Sequence, residues 1–272
     1  MRVRFWGVRG SIAVSDPRFI RTGGNTACVE IQAAGERLIL DGGTGLSALG
    51  QSVGHRPLDA TLLFTHVHWD HIQGVPFFGP AFHPQSRLTL GGATTAAGTL
   101  EDALRAQMCP PQFPITLEAL NAQLDFLALE PGVPFRRGPF LILPEVGHHP
   151  DGVLSYRVEA EGRSVVFATD VEHAGAPADT MLTLAAGADL LIHDAQFTCA
   201  EYAGEHGPSR EGWGHATWRE AVQVAQEAGA RRLALFHHDP TRDDDALAVV
   251  EHQAQREFSA SFAAREGAWI TL

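Results

Sequence analysis

The chain has 272 residues, 44% of them apolar, enough to bury a large core. Its formal charge of −12 at pH 7 opposes binding of polyanions by the general surface, so a nucleic acid would need a local basic patch. Three widely spaced cysteines (Cys28, Cys109, Cys199), none in a Cys-x-x-Cys, exclude a disulfide framework and a thiolate zinc site and fit a reducing cytoplasm. There is no signal peptide and no apolar run long enough to cross a bilayer, so a cytoplasmic protein without membrane contact is expected. No linker, low-complexity run or charge block divides the chain, which predicts a single domain over 1–272.

Residues 2–6 alternate as a strand, and Gly7-Val8-Arg9-Gly10-Ser11 breaks it. After the turn at Gly23-Gly24-Asn25, segments 28–31 and 37–41 flank Ala34-Gly35, a hairpin signature. The continuous apolar run 38–40 predicts a strand covered on both faces. Gly42-Gly43-Thr44-Gly45 ends it, either as a sharp turn with left-handed residues or as backbone drawn close to a site. It is not a phosphate loop, because no Gly-Lys-Ser/Thr follows. The strand 60–65 delivers His66, His68, Asp70 and His71, four metal-capable side chains within six residues, with Gly74 and Pro76 just beyond. Imidazoles and carboxylates suit zinc and its first-row neighbours. One ion cannot take all four at this spacing, since some point to opposite sides of a tight loop, whereas two ions about 3.5–4 Å apart can. Thr99 is a plausible N-cap for a helix carrying Leu100, Ala103, Leu104 and Met108, which Cys109-Pro110-Pro111 stops. Residues 107–114 read as a loop, either over the site or an inert connector.

The second half repeats the theme. A strand at 140–143 precedes His148-His149. Segment 155–159 turns at Glu161-Gly162 into 164–168 and ends at Thr169-Asp170, so this hairpin resembles the one ending at Asp41. The spacing from glycine to aspartate differs, and an internal duplication is only suggested. Segment 190–194 is a buried strand ending in His193-Asp194. Thr217-Trp218-Arg219-Glu220 is a capping box for a helix over 218–228, with Trp218, Ala221, Val222 and Ala225 on one face and Gly229 at C′. Strand 233–236 ends at His237-His238, Asp243-Asp244 opens a last helix with Leu247, Val250, Ala254 and Phe258 inward, and 269–272 is a final strand. Apolar strands thus end in metal-capable residues at His66, Asp170, His193-Asp194 and His237. The single histidines His55, His83, His173, His206 and His252 read as solvated, and His193 as structural or lining the site.

The run His66-x-His68-x-Asp70-His71 resembles the signature of the metallo-β-lactamase-fold hydrolases. The resemblance covers nearly the whole chain and is closest to the phosphodiesterase branch, which includes RNase Z and the phosphoribosyl cyclic phosphodiesterases. Gly23-Gly24-Asn25-Thr26 is similar to that family's N-terminal turn. His149 precedes Ser155-Tyr156-Arg157, with Ser where the branch carries Gly, and Ala168-Thr169-Asp170-Val171 stands for a Gly-Asp-Thr-like segment. Gly214-His215-Ala216-Thr217 stands for a Gly-His-Ser-Thr-like motif before a helix. The resemblance implies an α/β fold, a four-layer αββα sandwich, which composition alone does not choose over a doubly wound sheet. It implies that His66, His68 and His149 hold one ion, that Asp70, His71 and His237 hold the other, and that Asp170 bridges them. His148 is the rival of His149, and His238 of His237. The implied cofactors are two Zn2+ ions, with Mn2+ or Fe2+ as alternatives. Asp41 and Asp194 are expected either to orient a ligand imidazole or merely to cap strand ends.

The implied catalytic set is His215 as general acid with Asp70 and Asp194. His215 lies just ahead of a helix N-terminus, where the positive potential disfavours the imidazolium, so it needs an acidic or phosphate neighbour to hold a proton at pH 7. Two ions acidify a water to a pKa of about 7 and neutralise phosphate oxygens. The expected activity is hydrolysis of a small or cyclic phosphodiester. Alternatives are an RNase Z-type endoribonuclease, a lactone or thioester hydrolase on the same fold, and a non-catalytic metal-binding or redox sensor. The long Gly/Pro-rich substrate arm of RNase Z has no convincing counterpart here. The expected partner is therefore a small-molecule phosphodiester, the acidic balance argues against nucleic acid, and a homodimer is one open option.

Overall fold

In the computed structural model, which describes every residue except Ala97, Ala174 and His206, short apolar runs between glycine-bearing turns build two seven-stranded sheets. The first contains β1 (Arg2–Gly7), β2 (Cys28–Ala33), β3 (Glu36–Leu40), β4 (Asp59–Leu63), β5 (Arg87–Ala93) and β6 (Gln123–Leu129). The second contains β7 (Phe135–Arg137), β8 (Phe140–Gly147), β9 (Val153–Ala160), β10 (Arg163–Ala168), β11 (Leu190–Asp194), β12 (Leu233–Phe236) and β13 (Ser261–Ala263). The last strand, β14 (Trp269–Thr271), returns to pair with β1 in the first sheet. The strand orders are β14-β1-β2-β3-β4-β5-β6 and β13-β12-β11-β10-β9-β8-β7. The two sheets share a plan. An antiparallel hairpin (β2–β3, β9–β10) is followed outward by parallel strands (β4–β6, β11–β13). Both hairpins turn through two residues of positive φ, Ala34 (49°) with Gly35 (83°) and Glu161 (52°) with Gly162 (68°), the two-residue turn whose twist matches that of the strands.

Between the sheets lies an apolar layer including Phe5, Val29, Leu40, Tyr156, Phe167 and Phe236. Among the described residues there are seven α-helices, α1 (Gly45–Val53), α2 (Trp69–Ile72), α3 (Leu100–Gln107), α4 (Asp179–Ala185), α5 (Cys199–Ala203), α6 (Trp218–Glu227) and α7 (Asp244–Glu257), of which α1, α3, α4, α6 and α7 cover the outer faces of the sheets. Leu46, Leu49 and Leu104 of α1 and α3 bury against Leu62 and Leu90 of the first sheet. Met181, Trp218, Val222 and Val250 of α4, α6 and α7 bury against Val166 and Leu191 of the second. Helix, sheet, sheet, helix is the four-layer αββα sandwich that the histidine motif implied. The capping box of Thr217 with Glu220 on α6 stands as read, and Thr99, read as the N-cap of α3, forms a further one with Asp102. Among the described residues no helix is long and apolar enough to cross a membrane.

The glycine run after β3 is not a turn of left-handed glycines. The residue with positive φ is Asp41 itself (62°). Gly42 N donates to His71 O at 2.8 Å, and a Cβ on Gly43 would lie 2.3 Å from the carbonyl oxygen of Asp70. The run therefore lets backbone close against α2, which carries Asp70 and His71. Residues 107–114 brace the far end of that helix. Gln107 Nε2 donates to Ile72 O at 3.0 Å, and the Phe113 ring meets Phe77 edge-on at 5.7 Å.

Candidate metal centre

The site forms at strand ends. Strands β3, β4, β10, β11 and β12 stop at Leu40, Leu63, Ala168, Asp194 and Phe236, and the residues at or just beyond these stops meet. Three of them have left-handed backbone, Asp41 (φ 62°), Asp170 (56°) and His237 (58°). Such a conformation costs a non-glycine residue about 1–3 kcal/mol and persists where surrounding structure over-determines it. The histidine loop is tied across the sheets, because Tyr156 OH of β9 donates to Phe64 O and Leu154 N donates to Thr65 O at 2.8 Å.

Each inner imidazole is held from behind by one nitrogen. His71 Nδ1 donates to Asp41 Oδ2 at 2.8 Å, His237 Nδ1 to Gln196 Oε1 at 2.8 Å and His149 Nδ1 to Gly214 O at 2.8 Å. His66 Nδ1 meets Thr65 Oγ1 at 3.0 Å, and that hydroxyl is itself bonded to Asp41. A neutral imidazole that donates through Nδ1 carries its lone pair on Nε2. Four Nε2 lone pairs therefore face inward. Two of them, on His71 and His237, lie 3.3 Å apart, and His149 Nε2 lies 3.0 Å from His68 Nδ1. His66 Nε2 is buried without a partner. Lone pairs aimed at one another with carboxylates between them repel unless a cation sits among them, so the donor set fits metal ions.

The cluster has two halves. His66, His68 and His149 approach one another within 4.8 Å, and so do Asp70, His71 and His237. Asp170 stands between them. Its Oδ1 is 3.3 Å from His71 Nε2 and 3.2 Å from His237 Nε2, while its Oδ2 is 3.8 Å from His66 Nε2 and 3.9 Å from His149 Nε2. A set with two halves and a carboxylate facing both is that of a dinuclear site. Burial opposes the charge of Asp170, but His237 and His71 more than offset it and hold the group well below the usual carboxylate range. His71 is fully buried, which opposes its charge, yet Asp170, Asp70 and Asp41 more than offset this and push its pKa well up, so the surrounding carboxylates favour positive charge at this position. Metal binding to an imidazole competes with protons in the same way.

His215 lies beside the cluster, stacked on His237 at 5.0 Å and edge-on to His149 at 5.2 Å. Its Nδ1 donates to Asp194 Oδ2 at 2.9 Å. Burial works against its charge, but Asp194, then Asp170 and Asp70, raise its pKa to about 9. The acidic neighbour that the helix N-terminus called for is the protein's own Asp194. Of the two expectations for Asp194, orienting a ligand imidazole or capping a strand end, the structure shows its carboxylate bonded to His215, with its Oδ2 3.9 Å from His237 Nδ1. The same carboxylate accepts from the backbone N of Asp170, Gln196 and Ala216, which locks it in place. Asp41 does sit behind a cluster imidazole, that of His71.

Of the rival pairs, His149 is in the cluster and His148 is exposed, while His237 is in the cluster and His238 turns away to donate to Ala264 O at 3.0 Å. His55 and His252 are exposed and His83 is partly so, whereas His206 lies outside the described residues. His173 corrects the reading of solvated singles: it is buried, with Nε2 at 3.0 Å from His193 Nε2. His193 in turn donates from Nδ1 to Asp194 O, so this pair backs Asp194. Sequence reasoning missed Gln196, Glu172 and Ser11. Gln196 fixes His237, Glu172 accepts from Gly212 N and Gly214 N ahead of His215, and Ser11 N donates to Asp70 Oδ2 at 2.7 Å. Gln196 and Glu172 each lie two residues beyond an aspartate already singled out, which is the signal available in the sequence.

Residues 36–238 match the family described as Beta-lactamase superfamily domain. The chain belongs to that superfamily. It is 27% identical to a ribonuclease Z of Gemmatimonas aurantiaca, over 99% of this chain and 95% of that protein. Among solved structures it is similar to the metallo-beta-lactamase fold protein YhfI from Bacillus subtilis, with TM-score 0.74, 22% identity and coverage of 99% and 98% of the two chains. It is also similar to a diphosphatase from the PhnP family, with TM-score 0.70, 17% identity and coverage of 100% and 97%. These structural likenesses establish the metallo-β-lactamase fold. With its His/Asp cluster, this superfamily member is a metal-dependent hydrolase.

Proposed function

We propose that the chain, as one unit over 1–272, hydrolyses a small phosphodiester at a two-metal centre, with zinc as the metal and a reducing cytoplasm as its setting. The observation that carries this reading is the pairing of the two-halved cluster with a hydrogen-bonded His215–Asp194 pair at its side. In this reading His66, His68 and His149 hold one ion, Asp70, His71 and His237 hold the other, and Asp170 bridges. Such ions, when bound, activate a water and neutralise phosphate charge. The chain's own residues do the rest. Asp41, Gln196, Gly214 O and Thr65 fix the imidazoles, and such outer partners are worth about 10–100-fold in metal affinity or activity. His215 supplies the proton. The water gives up one proton to solvent and its oxygen becomes bonded to phosphorus, the bond from phosphorus to the leaving oxygen breaks, and that oxygen takes the proton from His215 while Asp194 keeps the imidazole oriented. General-acid assistance of this kind is worth about 10²–10⁴ in rate.

Likeness to a ribonuclease Z over 99% of the chain supports a second reading, cleavage of a precursor tRNA. The test is metal analysis followed by a panel of an aryl phosphodiester, cyclic ribose phosphates, cyclic nucleotides, a precursor tRNA and a lactone. Expected are about two ions per chain and the highest kcat/KM on a small phosphodiester. A higher value on precursor tRNA would replace the first reading with the second. Hydrolysis of the lactone with none of the phosphodiesters would remove both.

A further inference from the structure

Beside the cluster is a cavity of about 280 Å³ that shares His66 and His68 with it. Its walls come from both sheets: Val67 after β4, Ala93 at the end of β5, Leu100 at the start of α3, and Val146, Val153 and Leu154 on β8 and β9. Val146 is 54% exposed and Val67 36% exposed, apolar side chains left open to water at the edge of a polar site. An apolar concavity next to a polar cluster is the usual form of a small-ligand site. Among the described residues lining the cavity there is no arginine, and the chain as a whole has no lysine. Besides the two histidines, the charged side chain present is Asp151, 88% exposed at the rim and 3.7 Å from His68 Nε2. Neither His215 nor Trp213 lines this space, so it lies on a different side of the cluster from the proposed proton donor.

We infer that this cavity binds the uncharged, ring-sized organic substituent that stays on the phosphate of the substrate. The inference rests on the phosphodiesterase reading and adds a substrate class to it: a phosphate ester whose retained group is apolar and planar, an aryl or base-like ring, and carries no second phosphate. Size and chemistry both support this. A ring fits within 280 Å³, and its burial against Val67, Ala93, Val146 and Leu154 removes apolar surface from water on both partners. Away from the proposed metal ligands, an anionic substituent would meet Asp151 and apolar side chains with no basic side chain to receive it, which disfavours it relative to an uncharged ring. A polynucleotide, with a phosphate on each neighbouring unit, is disfavoured on this side by the same argument.

The test uses the metal-loaded protein and measures affinity, with turnover as a separate arm. Phenylphosphonate and methylphosphonate present the same anion to the cluster and differ in the group that reaches the cavity. Phenylphosphonate should bind about 10–100-fold more tightly, the return from burying one aromatic ring. Ala93→Phe fills the cavity and should bring that ratio close to one. Val146→Glu, at the exposed rim, should also lower it and serves if Ala93→Phe fails to reach the wild-type unfolding midpoint. Equal affinities in the wild type, or a ratio that both variants leave intact, overturn the assignment of the cavity, and binding of neither phosphonate overturns it together with the phosphodiesterase reading. A preserved ratio in a protein that hydrolyses no phosphodiester overturns the proposed reaction and leaves the cavity assignment standing.

Discussion

At the scale of single residues, Asp170 and Asp194 divide the work that two buried carboxylates at strand ends could share. Asp170 turns one oxygen to each half of the cluster, whereas Asp194 spends both oxygens on backbone N–H groups and His215. Asp170→Ala should therefore empty both halves of metal and abolish hydrolysis. Asp194→Ala should keep most of the metal and lose about 10–100-fold in kcat. Elemental analysis of both variants checks this, and greater metal loss in Asp194→Ala would transfer the bridging role to Asp194. His215→Ala should keep the metal content and lose about 10²–10⁴ in kcat on an ester with a poor leaving group. The loss should shrink for an aryl leaving group, whose oxygen departs without a proton. Equal losses on both esters would rule out a general acid. Strand-end position was enough to single out Asp170 and Asp194 in the sequence, whereas the bridging role of Asp170 and the choice of His215 came from the family motif. What the sequence could not show was which imidazole each carboxylate faces, because Asp194, at the end of β11, and His215, just before α6, are 21 residues apart and meet only in the folded chain.

At the scale of elements, the strands that alternate or run continuously apolar were legible, and so were helices α3, α6 and α7 with their N-caps, while α5 escaped despite its capping box of Thr198 with Glu201. Helix α1 was not legible either. Its segment carries glycine at 45 and 50, and Thr44 makes no side-chain capping bond, so neither composition nor a cap announces it. It forms because Leu46, Leu49 and Val53 fall on one face and bury against β3 and β4. Strands β5 and β6 also escaped, since their turn signals are weak and parallel partners distant in sequence define them. The buried histidines behind the site are a further case. His193 lies on β11 and His238 just past β12, and both are fully covered. Burial lowers each pKa to about 3 from an ordinary value near 6.5. The native state then binds fewer protons than the unfolded chain between those pH values, so stability is full above about 6.5 and falls as pH drops toward 3. At pH 5 each would subtract about 2 kcal/mol. Urea unfolding of the metal-free protein at pH 7 and pH 5 should show this loss, and His238→Asn should reduce it. A stability independent of pH over this range would mean that these rings protonate without unfolding.

At the scale of the whole molecule, the candidate centre joins the two sheets, with His66, His68, Asp70 and His71 following β4 and His149, Asp170 and His237 following β8, β10 and β12. An ion held by both halves binds the native state and not the unfolded chain, which adds about 2.7 kcal/mol at a hundredfold excess over its dissociation constant. Chelation should lower the unfolding midpoint, and an unchanged midpoint after verified metal removal would show that the apolar layer between the sheets alone sets stability. The same scale decides between a small substrate and an RNA. Association with tRNA draws on release of counterions by basic side chains, with a slope against salt proportional to the phosphates neutralised. Here 32 acidic residues face 20 basic ones, all arginine. Much of that arginine is already committed: Arg9 and Arg242 are buried, and Arg18, Arg21, Arg37, Arg105, Arg157, Arg163, Arg219, Arg231 and Arg265 pair with carboxylates. Near His215, Arg210 lies over the Trp213 ring at 4.2 Å, whereas a polynucleotide track needs several cations. The expected result at physiological salt is therefore a dissociation constant for tRNA weaker than micromolar, with a shallow dependence on salt. Nanomolar binding with a steep slope would require a basic surface that this charge distribution does not provide, and would move the protein to the endoribonuclease reading.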